Sequence, residues 1–111
     1  MVRKALDDGF AGTGLGELLA ARGVSRLAIT GLLSEMCVSA TARAALGRGL
    51  GVVLAHDAHA TCDIPPLPGV APAVPAAMVA RVAEWSLGDE LELVRAGTAV
   101  SFEAAAIPAG P

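Results

Sequence analysis

Aromatic residues are scarce in this chain of 111 residues, which contains no tyrosine, one tryptophan and two phenylalanines. Proteins that bind single-stranded nucleic acid stack the bases on aromatic side chains, so the composition argues against such a partner. Positive charge is also limited, because eight lysines and arginines stand against eleven acidic residues, a net charge of −3 at pH 7. A phosphate backbone requires a basic surface, and we therefore expect no nucleic-acid partner.

The chain also lacks an uninterrupted apolar stretch that could cross a membrane. A spanning helix needs about 20 consecutive apolar residues. The longest uncharged run, residues 64–80, contains five of the seven prolines, which no such helix would tolerate. Charged residues at positions 3, 4, 7 and 8 leave no apolar segment for a secretory signal. We therefore expect no membrane partner and a cytoplasmic location.

Cysteine is limited to Cys37 and Cys62, which are too few for a disulfide framework in a chain of this size. What the chain has in abundance is apolar material, because 54% of its residues are hydrophobic and 17% are charged. That balance excludes an extended disordered segment. The length fits one small domain and excludes two.

Apolar periodicity predicts helices that alternate with buried strands. The predicted helices span residues 14–23, 36–47 and 75–87. The predicted strands span residues 26–31 and 51–55, with weaker candidates at 90–94 and 98–102. A strand, a helix and a second strand with short connections form a right-handed βαβ unit. We therefore expect an α/β fold with a parallel sheet.

The third predicted helix carries its large apolar side chains at helical spacing. Met78, Val82 and Trp85 share one face of this helix. We expect that face to belong either to the core or to a subunit interface.

Cys37 lies between the strand predicted at 26–31 and the body of the helix that follows it. A sulfur at this point lies near the positive end of a helix and at the carboxyl edge of the sheet, where open α/β folds form ligand crevices. A helix N-terminus favours the thiolate, which is the nucleophilic form of cysteine. The alternative is an inert buried thiol, since cysteine is among the most buried residue types.

Three segments of the sequence carry motifs that occur in this order and at this spacing in a known protein family. They are Lys4 with FAGTGL at residues 10–15, GLLSEMCVSATAR at 31–43, and VVLAHDAHAT at 52–61. Together they resemble the isochorismatase-like cysteine hydrolases over about residues 2–102. This resemblance implies a three-layer α-β-α fold around a Rossmann-like parallel sheet, of which the sequence supplies the C-terminal part. We expect residues 1–103 to be the C-terminal portion of one such domain and residues 104–111 a flexible tail.

The resemblance implies a hydrolase that cleaves a C–N bond in a small amide or lactam through a thioester. It makes Cys37 the nucleophile and Lys4 the cation beside it. It also implies a cis peptide bond between Leu32 and Leu33, and an oxyanion hole formed by the backbone N–H groups of Leu33 and Cys37. We expect a small-molecule substrate, no cofactor and no metal, and the resemblance implies a homo-oligomer for the intact family form.

One element of the family pattern is missing from the sequence. The family's catalytic aspartate lies on a strand upstream of its lysine, and no aspartate precedes Lys4. Asp7 and Asp8 follow the lysine and do not match that position, so we expect neither to be the catalytic carboxylate. A catalytically inactive remnant that acts as an interaction or structural module is therefore the alternative to the hydrolase, and isochorismatase or nicotinamidase activity are lesser alternatives.

A second group of reactive side chains follows the strand at 51–55. His56, His59, Cys62 and Asp63 are all potential metal ligands, but they lack the spacing of known metal motifs. We therefore favour a capped loop over a metal site. Because the resemblance puts this loop at the carboxyl edge of the sheet, His59 and Cys62 are candidates for substrate contact, together with Phe10.

Overall fold

A computed structural model of the protein describes residues 6–102. The helices are α1 (Leu15–Ala21), α2 (Ser39–Gly47) and α3 (Ala76–Ser86), and the strands are β1 (Arg26–Leu32), β2 (Gly51–Ala60) and β3 (Glu92–Val94). A π-helical turn (Ser34–Val38) precedes α2, and a 3₁₀ turn (Gly97–Ala99) follows β3. The order of helices and strands is the alternation that the apolar pattern predicts. Among residues 6–102, no helix is long and apolar enough to span a bilayer.

The three strands form one parallel sheet in the order β1-β2-β3. Arg26 of β1 pairs with Gly51 of β2, and Val53 of β2 pairs with Glu92 of β3. Parallel neighbours need long crossover connections, which α2 and α3 provide. The sheet confirms the predicted α/β class. Within the part of the chain that the structure describes, β1 has a strand neighbour on one side only.

The hydrophobic core is built around β2, the central strand. Val52, Val53, Leu54 and Ala55 are all buried, because a strand covered on both faces has no solvent side and shows no alternation. Several of these residues pack in one cluster with side chains from α2 and from the loops. The buried members of the cluster are Phe10, Val38, Ala42, Ala45, Val52, Leu54 and Leu87.

The strand predicted at residues 98–102 does not form. The chain turns there instead, because the N–H of Ala99 donates to the carbonyl of Ala96 and the N–H of Val100 donates to that of Gly97. The N–H of Gly97 is held by the Asp57 carboxylate at 2.7 Å, which fixes the start of the turn. β2, by contrast, continues beyond the predicted 51–55 to Ala60.

The buried face of α3 is not the face with the largest apolar side chains. Val79, Ala83 and Glu84 are buried, whereas Met78 and Val82 are exposed and Trp85 is 78% exposed. Within the described residues this face is therefore not part of the core, and the other alternative, a subunit interface, stays a prediction. Compact side chains such as Ala83 let the helix approach the sheet closely, and the bulky residues point outward.

Leu54 tests the assignment of β2 as the centre of the core, because its side chain is only 1% exposed. We expect Leu54→Ala to lower the free energy of unfolding by about 2 to 5 kcal/mol, through lost burial and the cavity left behind. Chemical denaturation monitored by circular dichroism measures the change. Leu67→Ala removes the same atoms from a side chain that is 58% exposed and should cost less than about 0.5 kcal/mol. Equal losses in the two variants would contradict the assignment.

Candidate active site

Cys37 lies in the turn that connects β1 to α2, at the carboxyl end of β1. The chain leaves the strand through Gly31, whose φ of 122° is a conformation that glycine tolerates and other residues avoid. The Leu32–Leu33 peptide bond is cis, which is where the resemblance implies one. The helix predicted over residues 36–47 is α-helical only from Ser39, because residues 34–38 form the π-helical turn.

A single carbonyl organises the turn. The oxygen of Leu33 accepts hydrogen bonds from the N–H groups of Met36 at 3.0 Å and of Val38 at 3.2 Å. The second of these bonds spans five residues and gives the turn its π-helical form, a geometry that is frequent at functional sites. Cys37 lies between the two donors and is partly exposed.

β2 bends beside this turn. Ile29 pairs with Leu54 and Gly31 pairs with His59, so two steps along β1 correspond to five along β2. The intervening residues, 55–58, form an irregularity of the bulge type, which redirects the side chains that follow it. As a result, His59 and Thr61 reach the turn that carries Cys37.

Two side-chain contacts hold the turn against the end of β2. The hydroxyl of Thr61 lies 2.6 and 2.8 Å from the two carboxylate oxygens of Glu35 and donates to that carboxylate. The hydroxyl of Ser34 lies 2.7 Å from Nδ1 of His59. In addition, the hydroxyl of Ser39 donates to the carbonyl oxygen of Ser34 at 2.7 Å. The residues directly before Cys37 are thus fixed from both β2 and α2.

His59 continues into a buried polar cluster with α3. Its Nε2 lies 2.7 Å from Oε2 of Glu84, and Nδ1 of His56 lies 2.6 Å from the same oxygen. A carboxylate accepts hydrogen bonds only, so both imidazoles must present N–H groups to it. When the His59 ring is neutral, its Nδ1 is therefore the acceptor for the Ser34 hydroxyl.

Asp7 approaches the sulfur of Cys37. Sγ lies 3.4 Å from Oδ1 of Asp7, and the thiol is the donor in this contact. The backbone carbonyl of Asp7 also accepts from the hydroxyl of Thr41 at 3.3 Å. The segment before α1 is thereby attached to α2, and the carboxylate is placed where it can receive the thiol proton.

The remaining predicted site residues that the structure describes do not form one site with Cys37. Phe10 is only 3% exposed and belongs to the core, with the guanidinium of Arg48 4.7 Å above its ring. The side chain of His59 is also buried, so neither residue offers surface to a substrate here. Cys62 is exposed just beyond the end of β2. Lys4 lies outside the described residues.

Sequence reasoning missed Glu84, which connects α3 to both histidines. The sequence offers one signal for it: Glu84 lies on the same face of α3 as Val79 and Ala83. A carboxylate on a buried apolar face needs polar partners, so its position indicates a buried polar contact. Asp7 offers no comparable signal, because it lies 30 residues from Cys37 and its contact depends on the fold.

The isochorismatase domain family model matches residues 1–66 of the chain. The chain belongs to the isochorismatase family. Within this family, its sequence is 62% identical over 112 residues to a streptothricin hydrolase from Streptomyces noursei. The match covers 100% of this chain and 44% of that protein, so the chain spans less than half the length of this relative.

Solved structures from the isochorismatase family share the fold. An isochorismatase from Pseudomonas putida superimposes with a TM-score of 0.78 at 27% identity, covering 89% of this chain and 50% of that one. A cysteine hydrolase from Pseudomonas syringae pv. phaseolicola gives a TM-score of 0.77 at 29% identity, with 85% and 44% covered. These likenesses confirm that the parallel sheet and its helices are those of isochorismatase-like hydrolases.

The contact between Thr61 and Glu35 generates a prediction about the turn. We expect Thr61→Val to lower the free energy of unfolding by about 1 to 2 kcal/mol, because the substitution removes a hydrogen bond to a charged group without changing the side-chain shape. Urea denaturation measures the loss. Thr98→Val is the matched control, since Thr98 is exposed on the 3₁₀ turn, and it should change stability by less than about 0.5 kcal/mol. A loss in Thr61→Val no larger than in the control would show that the contact does not hold the turn.

Proposed function

We propose that the protein carrying this sequence is a hydrolase that cleaves a C–N bond in a small amide or lactam through a thioester on Cys37. The observation that carries the proposal is the contact between the Cys37 sulfur and the Asp7 carboxylate at the carboxyl end of β1. A nucleophilic thiol with a proton acceptor at this edge of a parallel sheet is the arrangement that acyl transfer requires.

The reaction follows from these groups. Sγ of Cys37 attacks the substrate carbonyl carbon while the thiol proton passes to Asp7, and the carbonyl oxygen becomes an oxyanion. The backbone N–H groups of Leu33 and Cys37 are the proposed donors to that oxyanion. The tetrahedral intermediate then expels the amine, which takes the proton from Asp7, and a thioester remains. Water attacks the thioester, releases the carboxylic acid and restores the thiol.

Lys4 completes the proposed set of catalytic groups. The family resemblance implies a lysine beside the nucleophile, where an ammonium group favours the thiolate and balances the charge of the nearby carboxylate. Lys4 precedes Asp7 by three positions, and Asp7 reaches Cys37, so the same segment carries both charges.

The proposed substrate is the lactam of streptothricin. The segments at residues 34–38 and 56–61 look most like those of streptothricin hydrolases, and the relative at 62% identity carries that name. In a lactam the leaving amine stays attached to the product, so hydrolysis opens the ring and adds one water to the substrate.

Cys37→Ser tests the nucleophile. We expect this variant to lose ring-opening activity to the detection limit, because a serine hydroxyl is far less ionised than a thiol near neutral pH. Mass spectrometry of streptothricin incubated with the protein follows the addition of water, and acid quenching of the wild type should trap an acyl adduct on the peptide that contains Cys37.

Cys62→Ser is the matched comparison for the adduct, since it removes the other thiol of this chain. The adduct on Cys37 should still form in this variant. An adduct on Cys62, or turnover by Cys37→Ser, would overturn the mechanism. Absence of both hydrolysis and adduct in the wild-type protein would favour the alternative function, an interaction or structural module.

Asp7→Asn tests the proton acceptor. We expect kcat for ring opening to fall by about 10²- to 10⁴-fold, the usual contribution of a positioned general base. Asp8→Asn is the matched control: within residues 6–102, Oδ1 of Asp8 accepts from the N–H of Phe10 at 2.8 Å, and an asparagine oxygen accepts in the same way. Similar activity in the two variants would remove Asp7 from the mechanism.

A further inference from the structure

Three potential metal ligands meet between β2 and α3, among residues that the proposed hydrolysis does not use. One donor atom each from His56, His59 and Glu84 lies within 4.8 Å of the other two. The side chain of Glu84 is 0% exposed, and its Oε1 has no hydrogen-bond partner within the described range 6–102. A buried carboxylate oxygen without a hydrogen-bond donor is unfavourable, so this oxygen lacks a donor or a ligand at bonding distance.

We propose that His56, His59 and Glu84 bind a divalent transition-metal ion, for which zinc is the best chemical match. Two imidazole nitrogens and one carboxylate are a common zinc ligand set, with bond lengths of about 2.0 to 2.2 Å. With both imidazoles neutral, the cluster carries one negative charge. The ion takes the place of the N–H protons that now face Glu84, and each imidazole stays neutral because its proton moves to the other ring nitrogen. The proposal does not depend on the hydrolase function.

The ring nitrogen of His59 that faces away from Glu84, Nδ1, has the kind of contact that a metal-bound imidazole makes. A metal-bound imidazole commonly donates its other ring N–H to an oxygen, which fixes the ring orientation. Nδ1 of His59 lies 2.7 Å from the Ser34 hydroxyl, and a hydroxyl can act as either donor or acceptor. The same contact therefore serves the ring both when Nε2 carries a proton and when Nε2 binds the ion.

The site is open to solvent on the side of His56. The His56 side chain is 56% exposed, and a cleft of about 630 Å³ reaches His56 and Glu84 between α3 and β3. Two cations, Arg81 and Arg95, also line this cleft. Arg81 lies 3.7 Å from Oε1 of Glu84, which is too far for a hydrogen bond, and its largely exposed side chain is free to turn away. An open fourth position, filled by water, is compatible with three protein ligands.

A metal ion at this position would cross-link β2 to α3. Through the contact between His59 and Ser34 it would also restrain the turn that carries Cys37. Binding to the folded state alone stabilises that state, so the unfolding temperature should rise when the metal is added.

Calorimetric titration of the chelator-treated, dialysed protein with zinc chloride tests the proposal. We expect one zinc ion per chain, with His56→Ala weakening the affinity by at least about 100-fold, more than the 10- to 100-fold typical of an outer-shell partner. His56 is the ligand of choice because its side chain is 56% exposed and because His59 still contacts Glu84 in the variant. Circular dichroism checks the fold. The unfolding temperature should rise with zinc in the wild type and not in His56→Ala.

Two control variants separate this site from others. Cys62→Ser should bind zinc as the wild type does, because the exposed thiol is not a ligand. Arg81→Gln removes a competing charge and keeps all three ligands, so its affinity should be equal or up to about fivefold higher. Cobalt substitution provides a spectroscopic check, since a site of nitrogen and oxygen ligands shows no sulfur-to-cobalt charge-transfer band.

Three results would overturn the proposal. The first is wild-type protein that binds less than one zinc ion per chain, and the second is equal affinity in the wild type and a folded His56→Ala. The third is a sulfur-to-cobalt band, which would assign the metal to a cysteine.

Discussion

The buried carboxylate of Glu84 is the constraint on which the arrangement of the site depends. A charge without solvent exposure is tolerated only where hydrogen bonds or opposite charges surround it, and here His56 and His59 both donate to one of its oxygens. These contacts join α3 to the carboxyl end of β2. They also explain why α3 turns Val79 and Ala83 inward, since Glu84 can reach the histidines only from that face.

The second constraint is the irregularity in β2 between Ala55 and His59. A regular parallel strand would place successive residues on opposite faces of the sheet, and the register with β1 would advance one residue for one. The observed register advances five residues along β2 for two along β1, which lets both His56 and His59 face Glu84. The apolar first half of β2 thus pairs with β1 in a regular parallel register, and the polar second half does not.

The fold was largely accessible from the sequence, because it depends on features that act over short distances. Apolar runs at 26–31 and 51–55 identify strands, and the helix between them makes the pair parallel. The same rule places Cys37 at the carboxyl edge. The expected burial holds for β2 only: among the described residues β1 has a strand neighbour on one side and contains no buried residue. The pairing of Cys37 with Asp7 and the convergence on Glu84 were not accessible, since they join residues 30 and 25 positions apart through the register and the helix packing. Which face of α3 lies against the sheet was not accessible for a related reason. The size of Trp85 favours its burial, but the face that is buried is the one that carries Glu84, whose carboxylate contacts the histidines.

These constraints make the position of Cys37, the proposed nucleophile, depend more on β2 than on α2. Ser34 and Glu35, the first two residues of the turn, are held by His59 and Thr61, which both follow the irregularity of the strand. The α-helix begins only at Ser39, after Cys37, so it does not define the path of the chain before the sulfur. Its contribution is the hydrogen bond that the Ser39 hydroxyl donates to the carbonyl oxygen of Ser34. Two series of contacts therefore reach the turn: one from Glu84 of α3 through His59 to Ser34, and one from Thr61 to Glu35. Two separate attachments to one strand end keep the position of a partly exposed thiol defined without burying it.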